Sequence, residues 1–149
     1  MKKRKKASKS PCQLSLAYLR KQGWVCGITE RFNRFANIRQ DLWGFVDIMA
    51  VRQGELLAVQ TTSTPHLNDH LAKLRSEKVV GNVRLLLSVP GCRVVLHGWA
   101  LRGDRGKRKT FTLKEIPVTL ETLNDGPWLK QVLDDVKKNP GWVPMPAKE

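Results

Sequence analysis

The chain is short of acid, of cysteine and of long apolar runs, and each shortage excludes something. Thirteen Asp and Glu stand against 27 Lys and Arg, giving a formal charge of +14 and a pI near 10.2. An excess this large favours a polyanionic partner, with nucleic acid ahead of an acidic membrane surface. Three cysteines, Cys12, Cys26 and Cys92, are odd in number and far apart, with no CxxC pair. They support neither a disulfide framework nor a structural zinc site, so a reducing, intracellular (cytoplasmic) compartment is expected. His66 and His70 have i,i+4 spacing but lack the carboxylate of an HExxH pattern. No apolar run reaches the roughly 18 residues of a membrane span. The basic N-terminus is followed by no apolar segment of the kind a secretory signal needs.

What the chain does contain suits one domain. Its 149 residues, 41% of them hydrophobic, can fill a sizeable core. Lys2, Lys3, Arg4, Lys5, Lys6 and Lys9 carry six of the fourteen net charges, which leaves +8 on residues 10–149. Residues 1–9 read as a disordered basic arm, 10–138 as a single domain and 139–149 as a Pro-rich tail. Ser10-Pro-Cys-Gln13 is a helix start, with Ser10 as cap, Pro11 at the first position and Gln13 completing a capping box. A short strand is expected at Trp24–Thr29. The segment 31–39 has no clear period and reads as a basic loop touching phosphates with ring stacking, or as a connection burying two Phe rings. A second helix opens at Thr64-Pro65, with Leu67, Leu71 and Leu74 inward and Asp69 paired to Lys73. Helical spacing resumes over 79–87, a strand follows from Arg93 to Arg102, and Lys107–Thr112 returns beside it. A last helix is carried by Trp128, Leu129, Val132, Leu133 and Val136. The order α-β-β-β-α-(α)-β-β-α describes an α/β (α+β) fold, a central mixed sheet flanked by helices.

The chemistry concentrates at Asp41-Leu-Trp-Gly-Phe-Val-Asp47 and the two apolar runs that follow. Those runs flank Gln53-Gly54, a two-residue hairpin step. The turn pairs Arg52 with Glu55 and therefore sets Asp47 opposite Gln60, with Thr62 on the same face. A slip of one residue would turn Gln60 to the other face. The bland alternative is a set of polar residues on the wet side of a hairpin. The sharper one is a hard-cation site, because facing side chains about 5 Å apart can converge on one ion. Asp47 offers a charged oxygen, Gln60 a carbonyl oxygen, and Asp41 a reserve carboxylate. The nearest cations in sequence are Arg39, Arg52 and Lys73. Glu30 and Glu55 read as solvated or paired with arginine.

Gly44-Phe-Val-Asp47 and Leu57-Ala-Val-Gln60-Thr-Thr62-Ser63, with the helices around them, resemble the core of the PD-(D/E)xK nuclease superfamily. The similarity is to archaeal Holliday-junction resolvase-like and to phage or prophage proteins, and it covers Ser10 to Thr112. It implies a restriction-endonuclease-like fold and a DNA endonuclease, structure-selective or junction-resolving, using Mg²⁺ or Mn²⁺. It implies Asp47 as first metal ligand, Gln60 in the place of the second acid, Thr62 in the place of the catalytic lysine, and Gln13 where many relatives carry a glutamate. Resolvases of this kind are dimers, so a homodimer is implied too. Two departures stand out: Gln60 carries no charge, and Thr62 cannot supply a cation.

DNA contact is expected from Arg31, Arg34 and Arg39 in the basic loop, and from Arg102, Arg105, Lys107, Arg108 and Lys109 around one turn. Trp99 and His97 share a strand face, with a core role favoured over base stacking or base catalysis. The rival to a nuclease is a nucleic-acid-binding protein of the same fold without activity. A basic adaptor using the tails and the Trp128 helix is a third reading.

Overall fold

The computed structural model describes residues 9–123. The Trp128 helix, the Pro-rich tail and the basic arm up to residue 8 lie outside them. Helix α1 spans Pro11–Lys21, and Ser10 caps it by accepting the Gln13 N–H at 3.3 Å. Strand β1 is Val25–Ile28, and β2 (Arg31–Asn33) and β3 (Ile38–Gln40) follow. These last two occupy the segment expected to be irregular, so the element order has two more strands than the sequence pattern suggests. Asn33 accepts the N–H groups of Phe35 and Ala36, and Asn37 takes φ +51°, which closes a turn that no hydrophobic period announces.

Strand β4 is Ile48–Arg52 and β5 is Glu55–Ser63, and Arg52 does pair with Glu55. The stretch 41–47 before β4 is a tight loop closed by a Leu42–Val46 bridge. A 3₁₀ turn (Thr64–His66) leads into α2 (Leu67–Arg75) and α3 (Val80–Leu87). Strand β6 is Cys92–Arg102, β7 is Thr110–Val118 and α4 is Leu120–Leu123. The basic run Lys107-Arg-Lys109 belongs to the turn before β7 rather than to the strand.

The main sheet has the order β1-β4-β5-β6-β7, with β5 and β6 parallel and the other pairs antiparallel. Parallel neighbours need a crossover, and α2 and α3 provide it on one face. There Leu67, Leu74, Val79, Val83 and Leu86 pack on Ala58, Val94 and Leu96. On the opposite face Leu16 and Leu19 of α1 pack on Ile48, Ala50, Leu57, Val59 and Val95. Each such fully buried aliphatic side chain contributes roughly 1.5–3 kcal/mol. The protein is thus a mixed α+β fold whose central sheet is covered on both faces.

Helix α1 is also fixed by a buried polar chain. Trp99 Nε1 donates to Ser15 Oγ at 2.8 Å, Ser15 Oγ meets His97 Nδ1 at 2.9 Å, and His97 Nε2 meets Glu115 at 2.8 Å. The indole can only donate, so Ser15 Oγ accepts from Trp99 and links it to His97, whose Nε2–H donates to Glu115. Ser15 and His97 are fully buried, which places His97 and Trp99 in the core.

Candidate functional site

Between β1 and β4 the chain leaves the sheet, forms the β2–β3 hairpin, and returns through the 41–47 loop. Trp43 and Gly44 take φ +54° and +85°, and a side chain on Gly44 would press on Val79 at 3.3 Å. Asn82 Nδ2 donates to the Trp43 carbonyl at 3.1 Å and holds the loop against α3. Phe45 and Val46 are fully buried in the α2–α3 core. With Leu42 bridged to Val46, the flanking residues Asp41 and Asp47 face each other. A sharp left-handed turn with an apolar plug thus brings two carboxylates together.

Strand β4 begins at Ile48, which leaves the Thr61 N–H of β5 without a ladder partner there. Asp47 takes its place: Oδ2 accepts Thr61 N–H at 2.8 Å, Thr61 Oγ1 at 3.2 Å and Gln60 Nε2 at 3.0 Å. The other atom of the Gln60 carboxamide, Oε1, is buried and has no partner, although Gln60 is only 2% exposed. Carboxylate oxygens of Glu30, Asp41 and Asp47 lie within 4.8 Å of one another. These groups line a pocket of about 270 Å³ with Cys12, Arg39 and His70, whose buried Nδ1 is also without a partner.

The charges are strongly coupled. Burial raises the Asp47 carboxyl, and the bond with Asp41 adds to it, taking Asp47 to about 7 against the pull of the Thr61 N–H. Burial pushes Asp41 the same way but is outweighed by its bond to Asp47 and by Lys73, so Asp41 ends below the usual carboxylate range. The pair therefore keeps one proton, on Asp47, where two like charges would otherwise be forced together. Cys12 is pushed up to about 11 by burial and then by Asp47 and Glu30. His70 is pushed down by burial and by Lys73.

The sequence pairing of Asp69 with Lys73 does not form. Lys73 Nζ reaches Asp41 at 2.8 Å, while Asp69 lies 3.4 Å from His66. A half-buried carboxylate in lower dielectric is the stronger partner than one on the exposed helix face. Of the other two cations considered, Arg39 lines the pocket 3.9 Å from Glu30. Arg52 is at the far hairpin end, bound to Glu55 at 2.7 Å and lying over Trp24 at 4.2 Å. Thr62 is buried beside Gly98 of β6 and does not line the pocket; the hydroxyl on Asp47 is that of Thr61. Gln13 is exposed at the first turn of α1 and does not line the pocket either.

Glu30 ranks higher in space than in sequence. Its signal is positional: Ile28 pairs with Ile48, so two residues on, the chain passes the end of β4 beside Asp47. Arg31, Arg34 and Arg39 are exposed on the β2–β3 hairpin, and Arg102, Arg105, Lys107, Arg108 and Lys109 are exposed around the β6–β7 turn. No helix among the described residues is long and apolar enough to cross a membrane. All three cysteines are free. Comparison with family models, curated proteins and solved structures gave no match.

Proposed function

We propose that the chain is a divalent-metal-dependent nuclease of restriction-endonuclease-like fold, hydrolysing phosphodiester bonds in DNA. The observation that carries the reading is the buried Gln60 Oε1, unpartnered, in a pocket where three carboxylates approach within 4.8 Å. An orphaned buried acceptor beside like charges is unfavourable unless a cation completes it. The donor set is all oxygen, which suits Mg²⁺ or Mn²⁺ rather than a softer metal. Asp47, Asp41 and Glu30 would hold the ion, with Gln60 as neutral ligand after rotation of its carboxamide. Bound there, the ion would acidify a water and offset charge on the phosphoryl oxygens.

The remaining chemistry belongs to the chain. Asp47 gives up its shared proton to become a ligand. Glu30 makes up the charge that Gln60 lacks. Lys73, 2.8 Å from Asp41, keeps that carboxylate ionised and brings a cation to the pocket, the role Thr62 cannot fill. The two exposed basic hairpins supply phosphate contacts without reading sequence.

The test is cleavage of branched, single-stranded and duplex DNA with Mn²⁺ by the wild type and by Asp47→Ala. Cutting by the wild type that disappears in Asp47→Ala, with DNA affinity retained, is expected. Equal DNA binding with no cutting by either protein would instead identify a non-catalytic binding protein.

A further inference from the structure

The β2–β3 hairpin is exposed at every residue but Asn33 and grows directly out of the acid pocket. Glu30 precedes its first strand and Asp41 follows its second, so the hairpin is flanked by candidate ligands. It forms a separate two-stranded sheet, paired Arg31–Gln40, Phe32–Arg39 and Asn33–Ile38. Phe32 is 58% exposed, Ile38 49%, and Phe35 at the tip is 104% exposed. Of the two readings of this segment, the one that buried both Phe rings is excluded. One exposed apolar residue is ordinary, but three on a single ten-residue hairpin mark an interaction surface. Asn33 holds the N–H groups of Phe35 and Ala36, so the ring is presented on a closed turn. Phe32 and Arg39 are cross-strand partners on one face, and Arg39 lines the pocket, which puts Phe32 on the pocket side.

We propose that this hairpin is a stacking arm that takes unpaired bases of a nucleic-acid strand on Phe35 and Phe32 and leads that strand to the acid pocket. The inference rests on the reading that the partner is nucleic acid, and it adds the class of substrate: strands with unpaired bases. Charge selects this occupant over a protein partner or a second copy. The segment 31–40 holds three arginines and no acid, and the whole chain carries +14. Bases in a duplex are already stacked, so exposed rings beside arginines favour a strand whose bases are free. Reach agrees, since five residues at about 3.3 Å each set Phe35 no more than roughly 16 Å from Glu30.

The experiment measures anisotropy of a fluorescein-labelled oligothymidylate and of a duplex of equal length, in EDTA, with the full chain. Because no metal is present, the result does not depend on cleavage. Phe35→Ala is expected to weaken oligothymidylate binding by about 5- to 150-fold and duplex binding by less than about twofold, with an unchanged near-UV spectrum because the ring packs on nothing. Phe35→Trp should retain binding and lose indole fluorescence on adding oligothymidylate. Equal affinity of wild type and Phe35→Ala for the single strand, or a wild type that prefers duplex, would overturn the arm. So would concentration-dependent self-association that Phe35→Ala abolishes while single-strand affinity is unchanged. A wild type that binds single strands through Phe35 but cuts nothing with Mn²⁺ keeps the arm and rejects the nuclease. Mn²⁺-dependent cutting of single strands that is equal in Phe32→Ala/Phe35→Ala keeps the nuclease and rejects the arm.

Discussion

Two buried polar clusters sit on neighbouring strands of one sheet, and they are built on opposite principles. In the Ser15–His97–Trp99–Glu115 chain the donors and acceptors are matched, and the protein is tied together by it. In the Asp41–Asp47–Gln60 cluster two carboxylates share a proton, a third stands within 4.8 Å, and one buried acceptor has no partner. A satisfied network stabilises and specifies structure, whereas an unsatisfied one is maintained against stability and points to a ligand. The Ser–His–Glu sequence of contacts resembles hydrolytic machinery, but its serine and histidine are fully buried and no substrate can reach them. Residue type alone would draw attention to the first cluster, whereas hydrogen-bond satisfaction draws it to the second.

Asp47→Asn should separate function from stability more strongly than any other substitution. That substitution should remove Mn²⁺-dependent cleavage by at least about 10²–10³-fold. It should also stabilise the metal-free protein at pH 8, read from urea unfolding, because no buried charge then has to form. Ser15→Ala should do the reverse. It leaves the Trp99 N–H and His97 Nδ1 without partners and should cost about 2–4 kcal/mol, with Mn²⁺ affinity within about twofold of wild type by calorimetry.

The pH dependence of the two clusters' surroundings follows from the same charges. Asp47 is raised to about 7, so its contribution to stability is present below its ordinary value near 3.8 and is lost as pH rises through about 7. Asp41 is lowered, so its contribution holds above 3.8 and is lost only as pH falls through its lower folded value. Metal-free wild type should therefore lose on the order of 2–4 kcal/mol between pH 4 and 8 relative to Asp47→Asn. Calorimetry should show tighter Mn²⁺ binding at pH 8 than at pH 5.5, with proton release, since the ion competes with the Asp47 proton. A flat pH profile would remove the shared-proton account.

Smaller effects sharpen the borders of the site. Lys73→Met should lower cleavage by about 10²-fold and raise the pH at which Asp41 ionises, measured by carboxyl NMR. The pair Thr61→Val and Thr62→Val is the finest test. Thr61→Val should weaken the hold on Asp47 by about 1 kcal/mol and change activity several-fold. Thr62→Val should leave activity unchanged, although Thr62 is the position that the sequence motif assigns to catalysis.

Much of the framework was legible in the sequence because its causes are local. The Ser10 cap and the Gln53-Gly54 turn are decided by adjacent residues, and the turn fixes the Arg52–Glu55 pair. Since side chains alternate with period two, that one pair also brings Asp47 to Gln60, now seen at 3.0 Å. Asp41 was legible only as a reserve. Its approach to Asp47 depends on Trp43 and Gly44 taking left-handed backbone and on Phe45 and Val46 entering the core. The β2–β3 hairpin escaped notice because three-residue strands carry too short a period to register.

The sequence by itself therefore determined the described framework outside residues 31–47, the basic character and the meeting of Asp47 with Gln60, because turn length and alternation act over a few residues. Tertiary structure alone decided that Glu30 joins them, that Lys73 turns from Asp69 to an aspartate 32 residues away, and that Thr61 rather than Thr62 touches Asp47. Each of those outcomes depends on the order of strands in the sheet and on which face the crossover helices cover. Distant segments meet there through shared burial, and no neighbouring residue encodes that meeting.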